Sequence, residues 1–132
     1  ERDTGYGIID TISSHIVRED AVYLCAIGDP KTRLKIGVNF IEKGATFINY
    51  IYHTIKIRER VKMGVGNIFC PCAGTSPDVT IGNFLIINYH STIAHDCIIG
   101  DGCTISANCE ITGNCVLGDG VFFGSQGFNY TK

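Results

Sequence analysis

Apolar residues return every six positions through most of this 132-residue chain. Read in sixes from Ile57, the opening residues run Ile57, Met63, Phe69, Thr75, Ile81, Ile87 and onward to Phe123, and eleven of the twelve are apolar. The fifth residue of each six is usually small, as at Val61, Ala73, Ser91, Cys97, Cys103, Cys109 and Cys115. Three sixes make a unit of eighteen, marked by Gly64, Gly82, Gly100 and Gly118, each directly after a large apolar residue. No single coil of this kind buries its inner face alone, so coils must stack about 4.8 Å apart, pairing their backbones and aligning like residues. The pattern predicts three short flat faces per coil with two inward positions on each, giving a parallel β-helix shaped as a triangular prism. Residues 57–128 supply four coils of eighteen. The corner glycines are expected to take backbone angles that a β-carbon would penalise.

Ahead of the repeat the pattern changes to α/β. Residues 7–10 (GIID) read as the end of a strand, and residues 21–27 (AVYLCAI) read as a strand buried on both sides. Asp29 is placed to cap a helix whose first position is Pro30, and the helix is expected to run from Lys31 to Lys43 and stop at Gly44. Leu34, Val38 and Ile41 would form its inner face, and residues 47–52 a further strand. The division expected is a partial Rossmann-like α/β unit over 1–52 and a β-helix over 53–132. The helix amino end behind Gly28-Asp29 offers a seat for a phosphate, although an ordinary cap accounts for the same residues.

Composition changes this picture little. The formal net charge is -2 with no Lys/Arg block, which offers nothing to nucleic acid or an anionic membrane, and no apolar run approaches the ~18 residues of a spanning helix. Four of the seven cysteines stand in the small inward slot at six-residue spacing and read as core packing. Cys97 and Cys115, eighteen apart, are close enough in register for a disulfide. The odd count and the lack of a secretion signal instead point to a reducing, cytoplasmic compartment. Cys70, Cys72 and His90 could approach one another, but they lack a fourth metal ligand, and no metal is expected.

The α/β unit, the junction FINYIYHT and the repeat together resemble the sialic acid O-acetyltransferase and bacillosamine-type nucleotide-sugar N-acetyltransferase family of hexapeptide-repeat acyltransferases. The most specific segment is residues 88–113, which carries the Asn, His-acid-Cys and later Gly-Asn pattern of the family's catalytic stretch. The resemblance implies a left-handed β-helix, a homotrimer with sites between neighbouring prisms, acetyl-CoA as co-substrate and a nucleotide-linked amino sugar or sialic acid as acceptor. It implies His95 as catalytic base with Asp96 beside it, Gly113 and Thr104 on the acetyl-CoA side, and Asp10, Gly28 and Asp29 on the nucleotide sugar. Thr104 stands where many members have a second histidine, and the later coils that hold much of the coenzyme are absent, so the chain reads as a fragment.

The spacing supports part of this independently, because 95 + 18 = 113 stacks Gly113 on His95 at one corner. Acetyl transfer needs a base for the nucleophile's proton, a carboxylate to fix the imidazole tautomer and a donor for the developing oxyanion, for which Gly113 N–H is the candidate. From the residues alone, His95 reads as a corner histidine on a solvated turn, and it is the resemblance that favours catalysis. His90 is the rival without an acidic neighbour, and Cys97 reads as packing rather than as a nucleophile. Two other classes remain open at this stage: a trimeric scaffold without catalysis, and a zinc lyase, for which only two of the three required histidines are found in the repeat.

Overall fold

In a computed structural model of the chain, Gly5 and residues 7–129 are described. The outermost residues of the two units expected at 1–52 and 53–132 lie outside that range. The first unit is small. Strand β1 (Val22–Tyr23) leads to helix α1 (Pro30–Glu42), which returns to strand β2 (Thr46–Phe47), parallel to β1. Residues 7–10 form no strand, and Ile8 and Ile9 stand exposed. The apolar run 21–27 is buried on one side only: Cys25 is buried, whereas Val22 and Leu24 are exposed. The reason is the sheet itself, which has two strands among the described residues and one covering helix.

Helix α1 starts and stops for the expected reasons. The Asp29 carboxylate accepts from Thr32 N–H at 2.8 Å, and the Thr32 side chain, with that N–H, holds its pKa below the ordinary carboxylate range. Past the helix, Gly44 takes φ +91, and the N–H groups of Gly44 and Ala45 return to the Ile41 and Phe40 carbonyls. Its inward stripe differs from the expected one, because Pro30, Arg33, Gly37 and Phe40 are buried while Val38 and Ile41 are exposed. A buried cation has displaced the apolar choice.

The second unit is a parallel β-helix of two-residue strands on three faces. The first face carries Lys62–Met63, Thr80–Ile81, Ile98–Ile99 and Val116–Leu117. The second begins at β3 (Tyr50–Ile51) and continues through Ile68–Phe69, Ile86–Ile87, Thr104–Ile105 and Phe122–Phe123. The third carries Gly74–Thr75, Thr92–Ile93, Glu110–Ile111 and Phe128–Asn129. Every pairing is eighteen residues apart, such as Ile98 with Val116 and Thr104 with Phe122. The hydrogen-bonded ladder starts at Tyr50, inside the segment that sequence alone joined to the α/β unit. Both inward positions of each face form one core, from Phe69 and Val79 to Cys115 and Leu117.

The corners solve a backbone problem in an unexpected way. Positive φ occurs at every sixth residue from Arg60 to Gln126, and nine of these residues are not glycine. Left-handed geometry costs such residues about 1–2 kcal/mol each, which the stacked ladder must offset. Gly64, Gly82 and Gly100 are not among them. They are glycine for want of room: a β-carbon on Gly82 would lie 2.1 Å from Asp101 Oδ1, and one on Gly100 2.5 Å from Asp119 Oδ1. Those carboxylates accept from Asn83 and Asp101 N–H one coil below. The small inward residues serve the corners too. Asn67 and Ser91 donate to the Gly82 and Ser106 carbonyls, and the Cys97, Cys103 and Cys109 thiols donate likewise to Thr112, Gly118 and Gly124. All seven cysteines are free thiols, Cys97 and Cys115 included.

Arg33 and Phe84 join the two units. The guanidinium is fully buried, yet faces no carboxylate. Its Nε donates to Phe84 O at 2.9 Å, Nη1 to Ile27 O at 2.6 Å, and Nη2 to Gly102 O and Cys103 O at 2.8 and 2.9 Å and to Thr104 Oγ1 at 2.7 Å. Loss of water pushes its pKa down. Phe84, at a prism corner with φ +57, drives its ring into the α/β unit, edge-on to Phe47 with centroids 4.9 Å apart. A β-carbon on Gly37 would come within 2.4 Å of that ring. Replacing Arg33 with leucine strands several buried carbonyls and is expected to destabilise the docked α/β unit by about 3 kcal/mol. Hydrogen exchange should then accelerate over residues 22–47 while the prism amides keep their protection.

Candidate active site

The corner between the third and first faces carries the candidate acid–base pair. His95 and Asp96 sit there in the third of four stacked turns, with Ser76-Pro77-Asp78 below and Thr112-Gly113-Asn114 above. Asp96 takes φ +57, and its Oδ2 lies 2.8 Å from His95 Nδ1. An ionised carboxylate has no proton to give, so Nδ1 is the donor, and the neutral form of the ring carries its lone pair on Nε2. Both side chains are more than half exposed, at 60% and 56%. The imidazole lies on Gly113: a β-carbon there would be 2.7 Å from both Cε1 and Nε2 and 3.1 Å from Nδ1. Below the pair, Arg60 bonds Asp78 through Nε at 2.5 Å and Nη2 at 2.7 Å. That bond holds the Asp78 carboxyl below its usual range, with the neighbouring Arg60 charge and, least, His95 adding to it.

The other expected residues form separate groups. Gly28 and Thr104 line one cavity of about 410 Å³ between the α/β unit and the second face, together with Asn88 and Ser106. Thr104 is only 5% exposed, and its hydroxyl accepts from Arg33, so it is not brought to His95. Asp29 caps α1. Asp10 is exposed and closes a local turn with the Thr11 N–H and the Ser14 hydroxyl, hydrogen bonds that hold its pKa low. His90 lines a small polar hollow of about 290 Å³ near Glu110 on the third face. The supporting group missed from sequence is the Arg60–Asp78 pair, whose signal was available in its spacing of eighteen, the same as that of His95 and Gly113. Among the described residues no group of three or more His, Cys, Asp or Glu could hold a metal ion. No helix among them is long and apolar enough to cross a membrane.

Gly113→Ala is expected to lift the imidazole off its seat and break the 2.8 Å bond to Asp96. The check is the His95 ring resonances, which should move while amide shifts on the second face do not.

Comparison with known proteins bears on the repeat and the fold. The bacterial transferase hexapeptide family (six repeats) matches residues 78–113 and 96–126. GDP-perosamine N-acetyltransferase of Escherichia coli O157:H7 is 29% identical over 100 residues, 76% of this chain and 45% of that protein. WeeI from Acinetobacter baumannii AYE superposes with a TM-score of 0.77 at 26% identity, covering 86% of this chain and 53% of WeeI. PerB from Caulobacter crescentus, solved in complex with CoA and GDP-perosamine, shares the fold at a TM-score of 0.65 and 18% identity, over 81% of this chain and 60% of PerB. The chain thus spans about half the length of the relatives it matches. By its repeat and by the fold that the repeat builds, the chain matches the bacterial transferase hexapeptide over residues 78–126.

Proposed function

We propose that this chain is part of an acetyl-CoA-dependent acetyltransferase that modifies a nucleotide-linked amino sugar in surface glycan synthesis. The observation that carries the reading is the His95 imidazole, bonded to Asp96 through Nδ1 and seated on Gly113. The relatives support it, since one is named a GDP-perosamine N-acetyltransferase and another was solved with CoA and GDP-perosamine.

In this reading His95 Nε2 takes a proton from the sugar amine as nitrogen attacks the thioester carbonyl. The tetrahedral intermediate collapses, the carbon–sulfur bond breaks, and the departing thiolate recovers the proton. Asp96 steadies the imidazolium, and Gly113 presents the acetyl group beside the ring. A sugar hydroxyl, as in sialic acid, could use the same base. The nucleotide sugar is assigned to Asp10, Gly28 and Asp29, and acetyl-CoA to Gly113 and Thr104, the latter in the wall of the same cavity as Gly28. The solenoid is read as left-handed, and the strand–helix–strand unit over 1–52 as part of a Rossmann-like nucleotide-sugar domain preceding the β-helix of 53–132.

A homotrimer is part of the same reading. The Gly28 cavity opens against the second face, whereas His95 stands on the corner opposite that face. The reading places the acceptor of one copy against the base of another.

The test uses the full-length protein with acetyl-CoA, a panel of nucleotide-linked amino sugars and free sialic acid, read by mass spectrometry. One acceptor is expected to gain an acetyl group. His95→Ala is expected to lower kcat/KM by about 10²–10⁴, with an unchanged melting temperature because the side chain is mostly exposed. Undiminished activity in that variant would falsify the assignment of the base.

A further inference from the structure

The third face has four strands where the second has five. Its missing rung is at Lys56-Ile57, where the period of six places a strand but none pairs with the lower edge of Gly74–Thr75. The gap between them is a slot of about 430 Å³, walled by Thr54, Ile55, Lys56 and Arg58 on one side and by residues 72–76 with Thr92 on the other. This volume lies within the range of small-molecule sites, roughly 300–1,000 Å³.

Two features of the slot point to one ligand chemistry. Its lining includes Lys56 and Arg58 and no carboxylate, and among the described residues neither cation enters an ion pair. Thr54, Ser76 and Thr92 add three hydroxyls. An ammonium and a guanidinium without counter-ions, beside hydroxyls that can donate, are jointly satisfied by an oxyanion with several acceptor oxygens. The floor is Gly74, above which a β-carbon would meet nothing within 4 Å, so the slot is open for an occupant's bulk.

We infer that this slot binds a phosphate-bearing small molecule, held by Lys56 and Arg58 with the hydroxyls of Thr54, Ser76 and Thr92. It is distinct from the Gly28 cavity, which none of these residues lines. It uses none of the residues assigned to acetyl transfer, so it stands or falls apart from that reading.

The experiment uses the full-length protein and three probes: inorganic phosphate, glucose 1-phosphate and adenosine 3′,5′-bisphosphate. Affinity is measured by calorimetry, and occupancy of the slot by the alkylation rate of Cys72, an exposed thiol in the same lining. At least one probe should bind and slow alkylation of Cys72. Preference for glucose 1-phosphate supports a sugar phosphate as occupant, and preference for the bisphosphate supports a coenzyme. Lys56→Ala with Arg58→Ala should weaken binding about 100-fold, and Thr54→Val about 10-fold. Gly74→Val fills the slot from its floor without touching a charge, and because its β-carbon has space the fold should survive while binding is lost. Failure of all three probes to protect Cys72, or unchanged affinity in any of these folded variants, would overturn the site.

Discussion

Nearly everything in this molecule depends on one register: a residue lies beside the residue eighteen positions later, one coil along the axis. Backbone pairing sets that register, as in Ile98 with Val116 and Ile99 with Leu117. Side chains then become partners by arithmetic alone. Asn83 N–H meets the Asp101 carboxylate, Asp101 N–H meets Asp119, and Arg60 meets Asp78. Each coil supplies acceptors for the previous one, so the backbone donors of tight corners find side-chain oxygens. The inward thiols extend the same logic. A cysteine is small enough for the crowded slot and still donates, weakly, to a corner carbonyl that purely apolar packing would leave bare.

The docking of the α/β unit shows a different use of polarity. A guanidinium is an expensive group to bury, and six hydrogen bonds to backbone and hydroxyl oxygens are what make Arg33 tolerable at zero exposure. Its acceptors come from the loop before α1 and from two successive prism coils. The guanidinium fork can be satisfied only when both units are folded and in contact. Phe84 adds the apolar half of the joint, entering between Gly37 and Gly66, where no side chain could remain.

This division explains what could be read in advance. The prism, its inward columns and the pairing of His95 with Gly113 were legible because periodicity fixes register, and register fixes neighbours. Helix α1 was legible at both ends because Asp29, Pro30 and Gly44 act locally. The helix's buried stripe was not, since the value of burying Arg33 depends on carbonyls as far away as residue 103. The corner glycines were found for the wrong reason. Left-handed angles fall on Asp78, Phe84, Asp96 and their kin, where tertiary stacking overrides local preference, whereas Gly82 is small because Asp101 fills the space. Thr75 stood out in the sequence as the one polar residue in the opening column, and its orphaned hydroxyl now marks the missing rung. Thr104 was matched to a family position without its context, and the structure has it bound to Arg33.

The same register accounts for how a solvent-facing dyad keeps its geometry. An exposed His–carboxylate pair ordinarily contributes little and wanders among rotamers. Here the backbone removes that freedom. The His95 carbonyl accepts from Asn114 N–H at 2.9 Å, and the Cys97 thiol reaches both His95 O and the Thr112 carbonyl one coil above. The left-handed angle at Asp96 turns its carboxylate back onto Nδ1, while Gly113 gives the ring a flat seat. Below, Arg60 occupies the Asp78 carboxylate on two sides, so a second acid near the imidazole is already engaged. Orientation comes from rigid elements rather than from burial, which leaves Nε2 accessible to a substrate arriving from solvent or from a neighbouring copy. A corner of a stacked coil can therefore host acid–base chemistry that a free loop of the same sequence could not.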